Sequence, residues 1–478
     1  MSHVTQGFYR ADVERYRMTA ERICLIDVVG LTPDLVGEHT PVLRELAAAS
    51  GSDGARPLEG VFPAVTTTPQ ASVLTGQEPS EHGVVGNGWL YDTGEIRFWQ
   101  QARSLLQGET VYEAAREEFG EEFTTALVFA WFSQGALDAD YRVIPKPHYG
   151  SDGSKIFDVH GAPESYVRGL EDDLGGFPFE NFWGPRSGPP ATEWIARATA
   201  KTLRERTPNL TVCYLPLLDY PLQKHGPDTD EAREALETVD EHVGLIREAA
   251  AETDTRIVVF SEYGLSSVSR PVHLNRRFRE EGWLSVREGP FGEQLDVPQS
   301  EVLAAADHQV AHVYVRDPDL LPAVKSLLEE TDGVGEVWGQ ARKAEHGIDH
   351  SRAGELIALA EPEAWFTYYF WFDDDRAPDY ARTVDIHSKP GYDPVEMFVD
   401  PEITAPMVKA GWTLLRKKLG FRYRMELTPL DASLVEGSHG IPPATPDEGP
   451  VLITEELDPP EDPAMTDLKP WLLEQYRS

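Results

Sequence analysis

Four short apolar runs separated by helical segments constrain the fold of this chain more than any other feature. They span residues 22–29, 124–129, 210–217 and 256–260, and amphipathic helical patterns lie between them. Continuous apolar strands that alternate with helices are typical of parallel α/β sheets. We therefore predict an α/β fold in which helices flank a largely parallel central sheet, with irregular cap insertions.

Acidic residues lie at or just past the ends of these predicted strands. Asp27 ends the first run, Asp219 follows the third, and Glu262 follows the fourth. In parallel sheets, ligands gather at the carboxyl ends of the strands. The sequence therefore predicts a site where these three side chains meet.

Two stretches fit the alternation of strands and helices poorly. Residues 146–190 are rich in glycine, proline and aromatic residues, which indicates an irregular cap-like insertion, and residues 301–337 indicate a strand followed by a helix. We divide the chain into three core segments (1–140, 196–285 and 346–456), a cap-like insertion (141–195), a small α+β subdomain (286–345) and an acidic tail (457–478).

The charge balance excludes one class of partner. Of the 478 residues, 43 are basic and 81 acidic, which gives a net charge of −38. Such a surface repels polyanions, so we expect no duplex nucleic-acid partner, and the composition resembles that of halophilic proteins.

The sequence has neither an apolar run of about 18 residues nor a signal-peptide pattern, so we expect a cytoplasmic protein without a membrane partner. Cys24 and Cys213 lie in apolar runs, which favours reduced core thiols.

Residues 63–76 place three consecutive threonines before a helical pattern. A threonine at a helix N-terminus commonly caps the helix through its side-chain oxygen. The alternative role is nucleophilic attack, because the positive end of the helix dipole and a bound metal both favour the alkoxide. Taken alone, the segment favours capping.

From residue 22 to about residue 454, the motifs resemble those of the nucleotide pyrophosphatase/phosphodiesterase branch of the alkaline phosphatase superfamily. That branch has an acid at the end of the first strand, a nucleophilic threonine before Ser-x-x-Thr-Gly, a Pro-x-x-His-Gly motif and a phosphate-binding asparagine. The matching positions here are Asp27, Thr66, 72–76, 79–84 and Asn87. Counting back from Thr75 selects Thr66 as the nucleophile. Pro69 lies one place later than the family's proline, so Thr67 and Thr68 remain alternatives.

The resemblance also implies a metal-ligand set. The family positions are Asp27, Asp219, Gln223, Glu262, Tyr263 and His439, where glutamine, glutamate and tyrosine replace the family's histidine, aspartate and histidine. His387, His225 and His308 are further candidate ligands, and the alternative for each is an ordinary hydrogen-bonding role. An oxygen-rich set disfavours zinc relative to manganese, magnesium, calcium or iron, and we expect one or two divalent ions, which are zinc, manganese or iron.

The implied activity is hydrolysis of a phosphodiester or nucleotide pyrophosphate through a phospho-threonine on Thr66, with Asn87 donating to a non-bridging oxygen. Alternatives are a phosphomonoesterase or an enzyme like phosphonoacetate hydrolase, which share the core. Because three ligand positions are changed, a degenerate, non-catalytic metal- or phosphate-binding protein is the alternative from another class. The expected partner is a small phosphate ester or nucleotide, and the oligomeric state stays open.

Overall fold

The computed structural model describes residues 21–49, 54–151, 155–421 and 423–477. Its strands are β1 Ile23–Val28, β2 Arg56–Pro57, β3 Gly88–Leu90, β4 Ile96–Phe98, β5 Thr125–Val128, β6 Tyr141–Pro145, β7 His148–Tyr149, β8 Lys155–Ile156, β9 Val159–Ala162, β10 Leu210–Leu215, β11 Arg256–Phe260, β12 Ser266–Ser267, β13 Arg270–Val272, β14 Val286–Gly289, β15 Gly292–Leu295, β16 Val302–Asp307, β17 Val310–Val315, β18 Val334–Trp338, β19 Leu356–Ala360, β20 Ala364–Phe366, β21 Gly437–Ser438 and β22 Val451–Thr454. Its α-helices are α1 Pro41–Ala49, α2 Thr67–Thr75, α3 Pro79–His82, α4 Val111–Phe119, α5 Glu164–Leu174, α6 Pro189–Arg206, α7 Asp219–His225, α8 Asp230–Glu252, α9 Leu274–Glu280, α10 Leu321–Glu329, α11 Gln340–Glu345, α12 Pro406–Lys418 and α13 Leu468–Gln475.

The central sheet has eight strands in the order β2-β22-β11-β1-β10-β5-β6-β9. The five inner strands from β11 to β6 run parallel, and antiparallel strands close both edges. The predicted α/β fold with a largely parallel sheet is confirmed. All four apolar runs supply inner strands, because such strands are buried on both faces.

The alternation of side chains along β1 determines which face of the sheet carries Asp27. Ile23 and Leu25 pack on one face of the sheet with Val73 and Leu74 of α2. The even-numbered residues of β1 pack on the other face, against α1 and α8. Since side chains of a strand alternate between faces, Asp27 belongs to the α2 face. This places its carboxylate on the side of the sheet where α2 begins.

A second sheet, in the order β16-β17-β19-β18, packs in a separate hydrophobic cluster with α9 and α10. Its strand β19 lies in 346–456, beyond the predicted subdomain 286–345. Strands β6 and β9 fall inside the predicted insertion 141–195 but belong to the central sheet. Helix α13, in the predicted acidic tail, is buried against the sheet through Leu468 and Leu472. The division of the chain into segments stays a prediction.

Both cysteines are buried and unbonded, as expected for core thiols. The described part of the chain contains no helix with the length and apolar character needed to cross a bilayer.

Candidate active site

The three threonines have different environments. Helix α2 begins at Thr67, and in the described structure the side chain of the preceding Thr66 does not cap it. The Thr66 hydroxyl instead lies 3.0 Å from the phenol oxygen of Tyr263. The Thr67 hydroxyl donates to the carbonyl of Gly86 at 2.8 Å. The Thr68 hydroxyl is buried and has no hydrogen-bond partner among the described residues. Of the three hydroxyls, that of Thr66 contacts another predicted site residue.

Two buried acids lie together beyond β1 and β11. Gln70 donates to Oε1 of Glu262 at 2.7 Å, and the amide of Trp131 donates to Gln70 at 2.9 Å, which fixes the glutamine's orientation. Both carboxylate oxygens of Asp27 and Oε2 of Glu262 receive no hydrogen bond from any described residue. Burial raises the pKa of Asp27 to about 8. Burial and the negative charge of Asp27 raise the pKa of Glu262 well above its ordinary value.

Gln223 is engaged at both ends of its amide. Its Nε2 donates to Oδ2 of Asp219 at 2.7 Å, and its Oε1 accepts from the hydroxyl of Tyr392 at 2.7 Å. One lone pair of its oxygen is thus used by Tyr392, and its amide nitrogen holds one oxygen of Asp219. The other oxygen of Asp219, Oδ1, lies 4.0 Å from Nε2 of His439. Burial raises the pKa of Asp219 to about 7.

Four rings stack across the middle of the site. Successive centroids lie 3.5 Å apart for Tyr263 and His439, 3.7 Å for His439 and His308, and 3.7 Å for His308 and Tyr392. His439 Nδ1 lies 2.7 Å from the carbonyl of Ala64, which can only accept, so Nδ1 carries the hydrogen.

His308 is held in a similar way. Its Nδ1 lies 2.9 Å from Oδ1 of Asp307, so this nitrogen also carries the hydrogen. Burial lowers the pKa of His308 and His439 well below the ordinary value, which keeps both imidazoles neutral. Each Nε2 is buried without a hydrogen-bond partner in the described structure and presents a lone pair.

The turn between β16 and β17 holds Asn87 in place. Oδ2 of Asp307 accepts from the backbone amide of Asn87 at 2.8 Å, and Oδ1 accepts from its side-chain Nδ2 at 3.1 Å. Oδ1 of Asn87 accepts from the amide of Thr67 at 3.0 Å. Asn87 therefore connects the turn to the start of α2. Asp307 was not among the predicted site residues, although an acid directly before a candidate histidine at a strand end was an available signal.

The other histidines make contacts outside this row of rings. His225 ends α7, about 9 Å along the helix axis from Asp219 at its start. His387 Nδ1 lies 3.5 Å from the carbonyl of Phe98. Both ring nitrogens of His312 are occupied, one at 2.7 Å from the carbonyl of Val85 and the other accepting from a backbone amide at 3.2 Å. Among the additional candidates in the described chain, His308 is the one that stacks on His439.

The unpartnered atoms test whether a metal ion fits the site. The three carboxylate oxygens of Asp27 and Glu262 without donors fit one cation, because such an ion would neutralise two adjacent buried acids. Asp219 Oδ1, His439 Nε2 and His308 Nε2 supply a second, mixed group of acceptors. Within the described residues, however, no three carboxylate, imidazole or thiolate groups are gathered closely enough to form a metal cluster by themselves. A bound ion would thus also need other donors, such as the hydroxyl of Thr66.

The raised carboxyl pKa values predict how the metal-free protein responds to pH. Asp307, Asp219 and Asp27 have pKa values of about 6, 7 and 8 against an ordinary 3.8, chiefly because of burial. Their protonated forms favour the fold, so the stability they contribute is complete below about pH 4 and is lost as the pH rises through these values. Buried neutral histidines such as His308 and His439, whose pKa values are lowered, destabilise the fold below about pH 6.5 and so act in the opposite direction. We therefore expect the melting temperature of the chelator-treated protein to fall between about pH 7 and about pH 9 in calorimetry, the range in which Asp219 and Asp27 ionise.

The control for this pH effect is Asp319→Asn, which changes an exposed carboxylate. Asp27→Asn should weaken the dependence of melting temperature on pH, and Asp319→Asn should not. Equal slopes in both variants would assign the dependence to the general surface charge.

Comparison with known proteins places this geometry in a family. A family model described as type I phosphodiesterase / nucleotide pyrophosphatase matches residues 23–393. The fold is similar to that of phosphonoacetate hydrolase from Sinorhizobium meliloti 1021 in complex with phosphonoformate, with 14% identity, 100% of each chain covered and a TM-score of 0.61. It is also similar to an inactive threonine-to-alanine variant of murine ectonucleotide pyrophosphatase / phosphodiesterase 5 in complex with AMP, with 11% identity, 95% of each chain covered and a TM-score of 0.56. The human ectonucleotide pyrophosphatase / phosphodiesterase 5 gives 11% identity, 95% of this chain and 94% of that chain covered, and a TM-score of 0.53.

A search of curated proteins gives no match to this sequence. The solved structures are too distant in sequence to show more than the fold. The family model, in contrast, runs from β1 through the segment that contains Tyr392 and so includes Asp27, Thr66, Asn87 and Asp219. Because this match covers most of the chain, the protein belongs to the type I phosphodiesterase / nucleotide pyrophosphatase family, within the alkaline phosphatase superfamily.

Proposed function

We propose that the protein is a metal-dependent hydrolase that cleaves a phosphodiester or nucleotide pyrophosphate with Thr66 as the nucleophile. The observation that carries the proposal is the position of the Thr66 hydroxyl. It is buried at the N-terminus of α2, does not cap that helix in the described structure, and contacts Tyr263 at 3.0 Å. The positive end of the helix dipole favours negative charge on this oxygen.

Asp27 and Glu262 would hold one divalent cation together with the Thr66 oxygen, and Asp219, His439 and His308 would hold another. Bound there, such ions would favour the alkoxide of Thr66 and offset the negative charge of the phosphate. The all-oxygen first group suits manganese or magnesium, and the two imidazoles of the second group also suit zinc.

Thr66 loses its hydroxyl proton to solvent and attacks phosphorus in line, so a new P–O bond forms while the bond from phosphorus to the leaving oxygen breaks. The leaving oxygen takes a proton from solvent, and the other organic group of the substrate stays on the phosphoryl group bound to Thr66. Water then cleaves this intermediate and regenerates the hydroxyl. Burial and nearby negative charges raise the pKa of Tyr263 well above its ordinary value, so the phenol stays protonated. Tyr263 therefore orients Thr66 through a hydrogen bond and does not act as a base.

Asn87 can still bind phosphate although Asp307 holds it. The amide nitrogen Nδ2 carries two hydrogens, and the bond to Asp307 uses one of them. The second hydrogen is the donor that we assign to a non-bridging oxygen. Asp307 thus positions Asn87 before substrate binds.

Several aromatic side chains beside Asp219 favour a substrate whose phosphate carries two organic groups, as in a phosphodiester. Trp183 lies 5.9 Å from Tyr220 and 5.8 Å from Tyr392, and Trp99 lies 5.7 Å from Tyr392, measured between ring centroids. Trp99 and Trp183 are partly exposed and can receive a flat organic group such as a nucleobase.

The direct test is a substrate panel in high salt with the protein loaded with manganese, magnesium, zinc or iron. We expect the highest kcat/KM for bis-p-nitrophenyl phosphate, and lower values for p-nitrophenyl phosphate and phosphonoacetate. A preference for phosphonoacetate would support the second candidate activity, which the similarity to phosphonoacetate hydrolase motivates. Absence of turnover with every substrate and metal would support a non-catalytic binding protein.

Tyr263→Phe separates an orienting role from a ligand role. We expect kcat to fall about tenfold, since the variant loses one hydrogen bond to Thr66 but keeps the ring stacked on His439. Metal content, measured by elemental analysis, should be unchanged. Loss of one metal equivalent would instead assign Tyr263 as a ligand. The matched control is Tyr392→Phe, which removes a phenol hydroxyl that contacts Gln223.

A further inference from the structure

Helix α12 exposes an unusual amount of apolar surface. None of its thirteen residues is buried in the structure as described. Met407 is 83% exposed, Val408 71% and Trp412 61%, and just after the helix Leu419 is 63% and Phe421 61% exposed. A side chain of this kind gains free energy by leaving water, and contiguous exposed apolar groups mark interaction surfaces.

The apolar and basic residues of α12 lie on different sides of the helix. With about 100° between successive residues, one arc of roughly 160° contains the larger apolar side chains, namely Met407, Val408, Trp412, Leu414, Leu415 and Leu419. Lys409, Arg416 and Lys417 lie on the opposite side, and Lys418 lies near the C-terminal end of the apolar arc, where a long side chain can reach its rim. Pro406, Ala410 and Thr413, which are partly covered, lie on the basic side. The apolar arc therefore faces outward.

The charge around α12 is opposite to that of the chain as a whole. Between residues 403 and 425 the sequence has six lysine or arginine residues and no aspartate or glutamate, in a chain with a net charge of −38. A helix with an exposed apolar arc, a tryptophan and flanking cations is complementary to a surface that is apolar inside and anionic outside. An anionic lipid bilayer has this structure.

We propose that α12 docks the protein on the surface of an anionic lipid bilayer, with the helix axis in the plane of the interface. Its thirteen residues extend about 20 Å, which is too short to span the hydrocarbon core. A second copy of the chain fits this surface poorly, because an isologous pair would bring two basic segments together. One face of so short a helix also covers much less than the roughly 800 Å² per partner of a stable interface.

The α12 segment joins the rest of the chain beside the candidate active site. The amide of Asp400 donates to the carbonyl of Leu427 at 2.7 Å, which brings the two ends of this segment together. Close to these ends, Lys224 lies 5.6 Å from the ring centroid of Phe398. Lys224 belongs to α7, which begins with Asp219. Docking thus connects the bilayer to the part of the domain that carries a site residue. It departs from our expectation of no membrane partner, which rested on the lack of a spanning segment.

The acidic remainder of the chain does not prevent such docking at moderate or high salt. The Debye length is about 10 Å at 0.1 M ionic strength, so carboxylates farther than this from the lipid headgroups are largely screened. The long lysine and arginine side chains of α12 can reach the headgroups from the flanks of the helix, and burial of the apolar arc does not depend on charge.

The test is flotation of the full-length protein with vesicles of phosphatidylcholine mixed with phosphatidylglycerol, compared with vesicles of phosphatidylcholine alone. We expect the wild type to float with the mixed vesicles. The double variant Lys417→Glu/Lys418→Glu should have a partition coefficient onto these vesicles that is lower by about tenfold or more. Trp412→Ser/Leu415→Ser should lose binding to both kinds of vesicle. All these side chains are exposed, so melting temperatures should match that of the wild type.

Matched controls carry the same kinds of change elsewhere. Arg186→Glu/Arg287→Glu reverses two exposed charges, with side chains 72% and 71% accessible, and Leu137→Ser removes an apolar side chain that is 82% exposed. Both controls should bind mixed vesicles like the wild type. Equal binding by the α12 variants and the wild type would overturn the proposal. So would a wild-type dimer that becomes monomeric in Trp412→Ser/Leu415→Ser while neither protein binds vesicles, because α12 would then be a self-association surface.

Discussion

Replacing Thr66 by alanine is expected to lower kcat for bis-p-nitrophenyl phosphate by about 10³-fold or more, because the variant lacks the oxygen that bonds to phosphorus. Metal content should change little if the carboxylates of Asp27 and Glu262 supply most of the binding. The melting temperature should also be close to that of the wild type, since in the described structure Thr66 does not cap α2. Steady-state kinetics, elemental analysis and calorimetry on one preparation measure all three quantities.

Thr67→Ala and Thr68→Ala are the matched controls within the same segment. The first removes a hydroxyl that donates to Gly86, so it should lower stability but keep most of the activity. The second removes a buried hydroxyl that has no partner among the described residues, so its effect on both quantities should be small. If Thr67→Ala or Thr68→Ala abolishes turnover and Thr66→Ala does not, the assignment is wrong. Mass spectrometry of acid-quenched reactions should place on Thr66 a phosphoryl group that still carries one p-nitrophenyl ester.

The fold and the sheet-end acids were predictable because both follow from local patterns. A strand buried on both faces must be apolar along its length, so the four runs identified four of the five inner parallel strands, and β6 was missed. Asp27 interrupts such a run at its end, where a charged group is tolerated only if it meets a ligand or a partner. Period-two alternation places it on the same face as Ile23 and Leu25. That α2 covers this face is known only from the tertiary structure.

The details of the site depend on residues far apart in sequence. Tyr392 lies 169 residues from Gln223, and its hydroxyl holds the oxygen that a glutamine ligand would have offered. Asp307 lies 220 residues from Asn87, which it positions. The sequence pattern of one motif has no information about these partners. The roles of Gln223 and Asn87 therefore needed the tertiary structure, whereas their presence at the site did not.

The alternative roles of Tyr263 also depended on tertiary contacts. A tyrosine at a metal-ligand position suggests a phenolate bound to iron. In the fold, however, its ring stacks on His439 and its hydroxyl contacts Thr66. Burial raises its pKa in the metal-free protein, whereas a cation bound to the phenol oxygen would lower it. The contact with Thr66 favours the orienting role, and the metal content of Tyr263→Phe tests it.

Asp27→Asn is expected to have the second large effect, and to act in opposite directions on function and on stability. An amide keeps the size of the carboxylate but removes its charge, so the variant should lose about one metal equivalent and at least about 10²-fold in kcat/KM. In the metal-free protein, the same change removes one of two adjacent buried acids. We therefore expect the metal-free variant to melt above the metal-free wild type at pH 8. Burial raises the pKa of Asp27 to about 8, so about half of its carboxyl groups are ionised at this pH.

Glu262→Gln should behave in the same way. Oε2 of Glu262 also has no hydrogen-bond partner among the described residues, and its carboxylate repels that of Asp27. Asp319→Asn, on the exposed surface, should change neither metal content nor the melting temperature of the metal-free protein. Elemental analysis and calorimetry with and without chelator give the two readouts. If Asp27→Asn retains the wild-type metal content, Asp27 is not a ligand. If it also melts lower without metal, the two acids stabilise the fold through a shared proton, and the pair is structural.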